Sequence, residues 1–278
     1  MSKCNSVAIQ FLCVVMTVFA LATGPRALAQ NQNPPKYLYV TNVELKPGHG
    51  EQFAKLQHEI VTADRTAKAP GFYLGTWSIT GDYNRVLFMQ GFSTYGELEK
   101  DHIDLMSKPA AAEVINKNFA AMGEFEVSAR GSIYEYKNDL SLRAGVDLEK
   151  ARGAVIAVFH VREGQQEAFE RTVKEYVKGF ETSVPDAHWA TFAKSYGEGS
   201  GTTYLYISST TSLAEMDALA SQYKAFADKV GAEVVAMQNA QWSAAIDSSE
   251  WNVVYFGTEI SYVPEKWLSD SPDFWGKK

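Results

Sequence analysis

The chain has 278 residues, and its 33 acidic and 26 basic side chains give a formal net charge of −7 at neutral pH. A surface of this sign is a poor binder of nucleic acids and of anionic membranes, and the sequence contains no basic patch. The length is sufficient for one large domain or two small ones with an ordinary hydrophobic core.

The first 29 residues have the pattern of a secretory signal peptide. Lys3 precedes the uncharged run "SVAIQFLCVVMTVFALATG", and Arg26 precedes the small-residue motif "ALA". We expect cleavage after Ala29 and a periplasmic or secreted protein without membrane contact; an uncleaved anchor is the alternative. Cleavage removes Cys4 and Cys13 and leaves a mature chain of net charge −9 without cysteine. Disulfides, a thiol nucleophile and a thiolate metal site are therefore excluded.

The mature chain repeats itself after 116 residues. The stretch "LYVTNVELKPGHGEQF" (38–53) aligns without a gap with "AVIAVFHVREGQQEAF" (154–169). Each copy is an alternating strand, a glycine turn and a helix start, followed by two strands that a glycine-containing hairpin joins. We predict these paired strands at 72–80 and 85–92 in the first half and at 188–196 and 203–210 in the second. A second helix and a closing strand, at 131–137 or 252–258, complete each half.

The element order β-α-β-β-α-β, present twice, is that of the ferredoxin-like unit. We predict an α+β protein with a first unit at 30–137, a linker at 138–153, a second unit at 154–262 and a C-terminal tail at 263–278. Because the strands carry apolar residues on both faces, the two sheets are expected to cover each other. The aromatic tail is expected to lie across the body or over a barrel mouth, or else to bind a partner.

Two stretches, "VELKPGHGEQF" and "RVLFMQGFSTYGELEKDHIDLMSKP", resemble the dimeric α/β-barrel superfamily, and within it the antibiotic-biosynthesis-monooxygenase-like (ABM-like) proteins. The residues that match the ABM-like pattern are Phe92, Glu97, Leu98, His102 and Ser107. The resemblance implies two ferredoxin-like units packed sheet to sheet around a lumen, here fused into a pseudo-dimeric barrel that is a monomer or a homodimer. Superfamily members include cofactor-free oxygenases, haem enzymes, isomerases and domains without known activity, so no single reaction follows.

His102 is the first candidate for chemistry. Tyr95, Leu98, His102 and Leu105 follow the spacing of one helix face, so the ring is expected within an apolar stripe. There it can act as a general base, a haem ligand or a hydrogen-bond donor to a substrate. Alternatively, the ring packs beneath the sheet with its nitrogens bonded to the backbone or to solvent. The second half has Ala220 at the corresponding position.

The first strand of each half supplies three further polar candidates. Asn42 and Glu44 share one strand face, and His160 is the repeat equivalent of Glu44. If Val43 and Phe159 face the helices, these three polar residues point into the lumen and form a small-molecule pocket there. The alternatives are a reversed facing, or polar groups that satisfy one another near the barrel rim.

Trp77, Tyr204 and Arg85 are candidates for substrate binding. Trp77 and Tyr204 are strand aromatics that can line a cavity for a flat apolar ligand, although core packing also explains such residues. Arg85 opens a strand and can bind an anionic group of a ligand, or remain solvated.

No cofactor or metal is expected. Haem-degrading relatives have an Asn in the first strand, a Trp ending the third and a His late in the second helix, whereas here Phe92 replaces the Trp and residues 103–159 contain no His. The five histidines show no ligand-pair spacing. We therefore predict a cofactor-independent ABM-like oxygenase or other small-molecule enzyme with its site near Asn42, Glu44 and His102. The alternative is a non-catalytic small-molecule-binding or stress-associated module.

Overall fold

The computed structural model describes residues 33–199 and 201–276, without the side chain of Ala220, so the predicted signal peptide lies outside it. The first half comprises β1 (Tyr37–Leu45), α1 (Gly50–Ala67), β2 (Tyr73–Ser78), β3 (Arg85–Phe92), α2 (Tyr95–Met106), α3 (Pro109–Met122) and β4 (Glu126–Tyr136). The second half comprises β5 (Gly153–Val161), α4 (Gln166–Ser183), β6 (Ala190–Tyr196), β7 (Thr202–Thr210), α5 (Leu219–Val230), α6 (Ala232–Ala245) and β8 (Ile246–Phe256). The short helix α7 (Glu265–Asp270) follows, and no helix of the described residues is long and apolar enough to cross a membrane.

The eight strands form one closed barrel in the order β1-β3-β2-β8-β5-β7-β6-β4, and every pair of neighbours is antiparallel. The predicted α+β class is confirmed. The strand order within the first half, β4-β1-β3-β2, equals that within the second, β8-β5-β7-β6, and the pairs β2–β8 and β4–β6 join the halves. Each half has two helices before its last strand, where the sequence predicted one, because Pro109 and Gly231 interrupt the helical run.

Side chains alternate between the interior of the barrel and its helix-covered outer face, as the strand period of two requires. On β1, Leu38 and Val40 belong to the interior core, whereas Val43 packs with the buried residues of α1 and α3. The interior core fills the lumen with buried side chains from both halves, which include Leu74, Met89, Tyr134, Ala154, Ile156, Phe192, Leu205, Val254 and Phe256. The lumen is thus a packed core rather than an open pocket.

Two crossing segments, residues 138–142 and 257–262, connect the halves outside the barrel ladder. Leu140 and Ile260 are fully buried, Leu140 in the helix-side core of the second half and Ile260 in that of the first. The segments make matching contacts, with single β-bridges Leu142–Trp189 and Tyr262–Tyr73 and with backbone N–H groups of Thr191 and Gly75 that donate to Ser141 Oγ and Ser261 Oγ at 2.9 Å. Each segment therefore follows the last strand of one half and packs against the sheet and helices of the other half.

The C-terminal tail packs against the interior core. Trp267 and Trp275 are each only 3% exposed. Trp275 stacks on Phe256 at 6.3 Å between ring centroids, and Trp267 meets Phe72 edge-on at 5.3 Å. The indole of Trp275 also donates to the carbonyl oxygen of Glu149 at 2.8 Å, which ties the tail to the segment before β5.

Candidate functional site

A cavity of about 910 Å³ lies between the sheet and the helices of the second half. Its walls come from the outer face of β5 to β8, from α4, α5 and α6, and from the loop before β6. Most of the lining is aromatic or aliphatic, with rings from Phe159, Phe169, Tyr176, Phe180, Trp189, Tyr206, Tyr223, Trp242 and Trp251. A pocket of this size and character suits a planar, largely apolar small molecule.

The helices α3 and α6 bury different residues. Ile115 and Met122 of α3 are buried against the core of α1. Counted from the helix starts, the same positions of α6 hold Gln238 and Ala245, which are buried and do not line the cavity. The part of α6 that faces the cavity carries Asn239 and Trp242 instead.

The first half fills the equivalent space with a hydrogen-bonded polar cluster of Gln57, Asp64 and Tyr73. The Tyr73 hydroxyl donates to Asp64 Oδ2 at 3.0 Å and accepts from Gln57 Nε2 at 3.1 Å. The 116-residue repeat places Val173 and Phe180 at the positions of Gln57 and Asp64. Val173 and Phe180 line the cavity of the second half, whereas the corresponding residues of the first half belong to this polar cluster.

Two phenols supply polar groups at the cavity wall. Burial raises the pKa of Tyr206 to about 12, with Ser208 opposing part of the shift. Burial likewise raises the pKa of Tyr176 to about 12, and its hydroxyl donates to Asn239 Oδ1 at 3.2 Å. Both phenols therefore stay protonated at neutral pH; Tyr206 can donate a hydrogen bond to an oxygen of a ligand, whereas Tyr176 already donates to Asn239.

His188 is the histidine that lines the cavity, and its ring is held by the backbone. Nδ1 lies 3.1 Å from the carbonyl oxygen of Asp186, and Nε2 lies 2.9 Å from that of Ser209. Ser208 Oγ also donates to the carbonyl oxygen of His188 at 2.8 Å, which ties the loop before β6 to β7. A neutral imidazole carries a single N–H, so His188 donates to one of these two carbonyl oxygens, and the ring lies fixed at the cavity wall. No cluster of three or more metal-ligating residues occurs within the described part of the chain.

One side of the cavity opens to solvent. Leu219 and Tyr223 of α5 are 44% and 43% exposed, and Trp251 of β8 is 55% exposed, although all three line the cavity. Asp186 and Glu215 lie exposed at the same rim. A ligand can therefore enter beside α5.

The structure places the candidates for the lumen site on one face of the sheet but on distant strands. Val43 and Phe159 pack with the helices, so Asn42, Glu44 and His160 lie on the interior face of the barrel. However, three strands separate β1 from β5 in both directions around the barrel, and interior side chains of both halves fill the lumen between them. None of these residues lines the described cavity, and a shared site for them in the lumen stays a prediction.

Two of these three polar residues have a local hydrogen-bond partner. Glu44 is exposed and accepts from Ser128 Oγ at 3.5 Å, and His160 Nδ1 lies 3.4 Å from Thr203 Oγ1. Asn42 Oδ1 is buried and has no hydrogen-bond partner among the described residues.

His102 does not lie in a buried stripe. Its side chain is exposed, and α2 has no buried residue. Since α2 and α5 each have 12 residues, counting from their first residues pairs His102 with Phe226 rather than with Ala220. Phe226 is fully buried, so the residue at this helix position packs into the core in α5 but is exposed to solvent in α2.

The three proposed substrate-binding residues lie in three separate places. Trp77 faces the helices of the first half, where its indole donates to Glu259 Oε1 at 2.7 Å. Tyr204 lies on the helix-covered face of β7, fully buried, and donates to Glu170 Oε1. Arg85 pairs with Glu250 at 2.8 Å across the junction of the halves. None of the three lines the described cavity.

The sequence predicted the apolar face of α4 correctly but did not indicate that this face lines a cavity. The predicted apolar face of α4, which includes Phe169, Val173, Tyr176 and Phe180, lines the cavity almost completely. His188, Tyr206 and Trp242 were not singled out as a group. The available signal was the replacement of Gln57 and Asp64 by Val173 and Phe180 in the second copy of the repeat.

Comparison with known proteins supports the barrel fold. An anthrone oxidase-like protein superposes with a TM-score of 0.51 at 19% sequence identity, over 80% of this chain and 92% of the other. A proposed monooxygenase from Fusobacterium nucleatum superposes with a TM-score of 0.52 at 10% identity, over 81% of this chain and 94% of the other. Neither the protein-family models nor the curated proteins yield a match to the sequence. At these identities the likeness establishes a shared fold only.

Proposed function

We propose that this protein binds a planar, largely apolar small molecule in the second-half cavity and oxidises it with molecular oxygen, without a cofactor. The observation that carries the proposal is the cavity itself: about 910 Å³, walled by aromatic rings and open on one side. The neighbouring rings of Trp189, Tyr206 and Trp251, tilted against one another at centroid distances of 5.7 and 5.6 Å, suit a fused aromatic ligand. The fold that it shares with monooxygenase-type and anthrone oxidase-like proteins supports the choice of reaction.

The cavity offers hydrogen-bond donors rather than a base. A substrate with an acidic C–H beside aromatic rings and a carbonyl can lose this proton to water at the open side of the cavity, which leaves an oxyanion that the protonated hydroxyl of Tyr206 would stabilise. The electron-rich anion then reduces O₂ directly. Overall, a CH₂ group becomes C=O, one O₂ is consumed and one water is released, so the oxidised carbon supplies the electrons that O₂ accepts.

We further propose that the chain is an ABM-like fused tandem of two ferredoxin-like units. The matching strand orders of the two halves and the paired crossing segments support this assignment. The signal-peptide pattern of residues 1–29 supports export to the periplasm or the medium. The pseudo-dimeric barrel suits a monomer, and a homodimer of such barrels is the alternative.

Oxygen consumption with anthrone as the probe substrate tests the reaction. The mature protein should accelerate O₂ uptake and anthraquinone formation over buffer. Tyr206→Phe removes one donor at the cavity and should lower the rate by about 100-fold. Tyr196→Phe, at an exposed tyrosine on β6, is the matched control and should retain the wild-type rate. Equal rates for Tyr206→Phe and the wild type would contradict the proposed role of the cavity.

Binding without chemistry is the second candidate function. The fixed ring of His188 favours it, because both of its nitrogens lie within 3.1 Å of backbone carbonyl oxygens and are therefore poorly placed to reach a substrate proton. Saturable quenching of tryptophan fluorescence by anthrone, with no O₂ uptake, would identify the protein as a binding module. If neither quenching nor O₂ uptake occurs, planar apolar molecules of the anthrone type are excluded as ligands.

A further inference from the structure

We infer that a contact between Phe226 of α5 and Gly179 of α4 fixes the position of α5, and that this contact sets the width of the cavity and hence the size of ligand it accepts. This inference rests on the proposed function, because it concerns one wall of the same cavity. It assigns a positioning role to two residues that are not part of the cavity lining.

Gly179 is unusual because it lies within an 18-residue helix. Glycine is unfavourable in a helix interior relative to alanine, so its presence requires a packing reason. A Cβ atom at position 179 would lie 2.9 Å from Cδ2 of Phe226, closer still to Cε2, and 3.2 Å from Cγ1 of Val230. The missing side chain therefore forms a notch in α4 that the Phe226 ring occupies.

Phe226 is the main anchor of α5. It is fully buried, and its ring stacks on Phe180 at 4.6 Å and 14° and on Tyr176 at 5.3 Å and 29°. By contrast, Leu219 and Tyr223, which lie on the same helix and line the cavity, are close to half exposed. The positions of Leu219 and Tyr223 at the cavity wall therefore depend on how deeply the Phe226 ring enters the notch.

The ends of α5 give it little other support. A 3₁₀ turn at Leu213–Ala218 precedes it, and none of the residues of that turn is buried. Gly231 follows with φ 91°, a conformation that favours glycine, and a Cβ there would meet no atom within 4 Å. The helix is therefore held mainly from its inner face.

The first half lacks both members of the contact. The repeat pairs Gly179 with Ala63, and the helix starts pair Phe226 with the exposed His102. There α2 has no buried residue, and a polar cluster fills the space. Notch and ring therefore occur together in the half that has the cavity.

Binding of two fluorescent probes of different size, 1-anilinonaphthalene-8-sulfonate and its covalent dimer, tests the inference. Gly179→Ala should force Phe226 and α5 outwards, weaken the smaller probe and raise the affinity ratio in favour of the dimer by about tenfold. Adding Phe226→Leu to this variant should restore the wild-type ratio. Gly96→Ala is the matched control, because a Cβ in that exposed helical position meets only Thr94 Oγ1 at 3.9 Å.

Hydrogen exchange of the backbone amides separates this inference from the proposed function. Gly179→Ala should speed exchange in residues 219–230 but not in residues 95–106, whether or not a probe binds. If wild-type protein binds neither probe, the proposed ligand cavity fails while the exchange result still tests the contact. Unchanged exchange in α5 together with an unchanged probe ratio would overturn the inference. Should Gly179→Ala fail to fold, Phe226→Leu alone must speed exchange in α5.

Discussion

Asp64 provides the most direct test of the packing described above. Its side chain is only 2% exposed, its Oδ2 accepts from Tyr73, and its Oδ1 has no hydrogen-bond partner among the described residues. Burial raises the pKa of this carboxyl from 3.8 to about 6, and the hydrogen bond from Tyr73 opposes part of that shift. The perturbation is Asp64→Asn, which keeps the shape of the side chain and removes its ionisation.

The size of the effect follows from the difference between the folded and unfolded pKa values. Because the folded pKa lies above the unfolded one, the folded protein binds more protons between pH 4 and 6, and its free energy of unfolding falls as the pH rises through that window. A shift of about 2 units at 1.36 kcal/mol per unit gives about 3 kcal/mol. Below the window the contribution is fully present; above it, it is lost.

Urea denaturation of the wild type and the variant at several pH values measures this effect. The difference in unfolding free energy between Asp64→Asn and the wild type should move in favour of the variant by about 3 kcal/mol between pH 4 and pH 7. Asp228→Asn is the matched control: this aspartate forms a surface ion pair with Lys224, and its removal should change stability by less than about 1 kcal/mol. A difference between Asp64→Asn and the wild type that stays constant with pH would refute the reasoning.

Three further predictions concern the tail, His102 and the leader. Trp275→Ala should lower the free energy of unfolding by about 3–5 kcal/mol, measured by urea titration, because it empties a buried position against Phe256. His102→Ala should leave anthrone-dependent O₂ uptake and stability within about twofold and 0.5 kcal/mol, since the side chain is exposed; a large loss of activity would return this residue to the site. Mass spectrometry of protein secreted or exported by a bacterial host should give a chain that begins at Gln30, whereas an intact leader would contradict cleavage after Ala29.

Local patterns predicted much of the barrel. The strand at β3 was placed at its observed limits, 85–92, and the others within a few residues, except that β4 and β8 begin about five residues earlier than expected. Alternation left the facing of β1 and β5 open, and the structure shows that Val43 and Phe159 meet the helices. The extra helices α3 and α6 were missed, because helix breaks at Pro109 and Gly231 lie inside one apolar pattern.

The site was the less predictable part. His102 lies at the spacing of an apolar face, but whether that face is covered depends on how α2 sits against α1, which no local pattern reports. The lumen candidates were placed on the correct strand face, yet the volume between the sheets is filled from both halves.

The sequence by itself determined the duplication and the order of elements, because these depend on periodicity within short stretches of chain. It left open which strand face meets the helices. Only the tertiary structure decided which space stays open. That outcome depends on residues far apart in the chain: Gln57, Asp64 and Tyr73 form a closed hydrogen-bonded cluster in the first half, whereas their repeat equivalents Val173, Phe180 and Trp189 line a cavity in the second. Close packing makes such differences decisive.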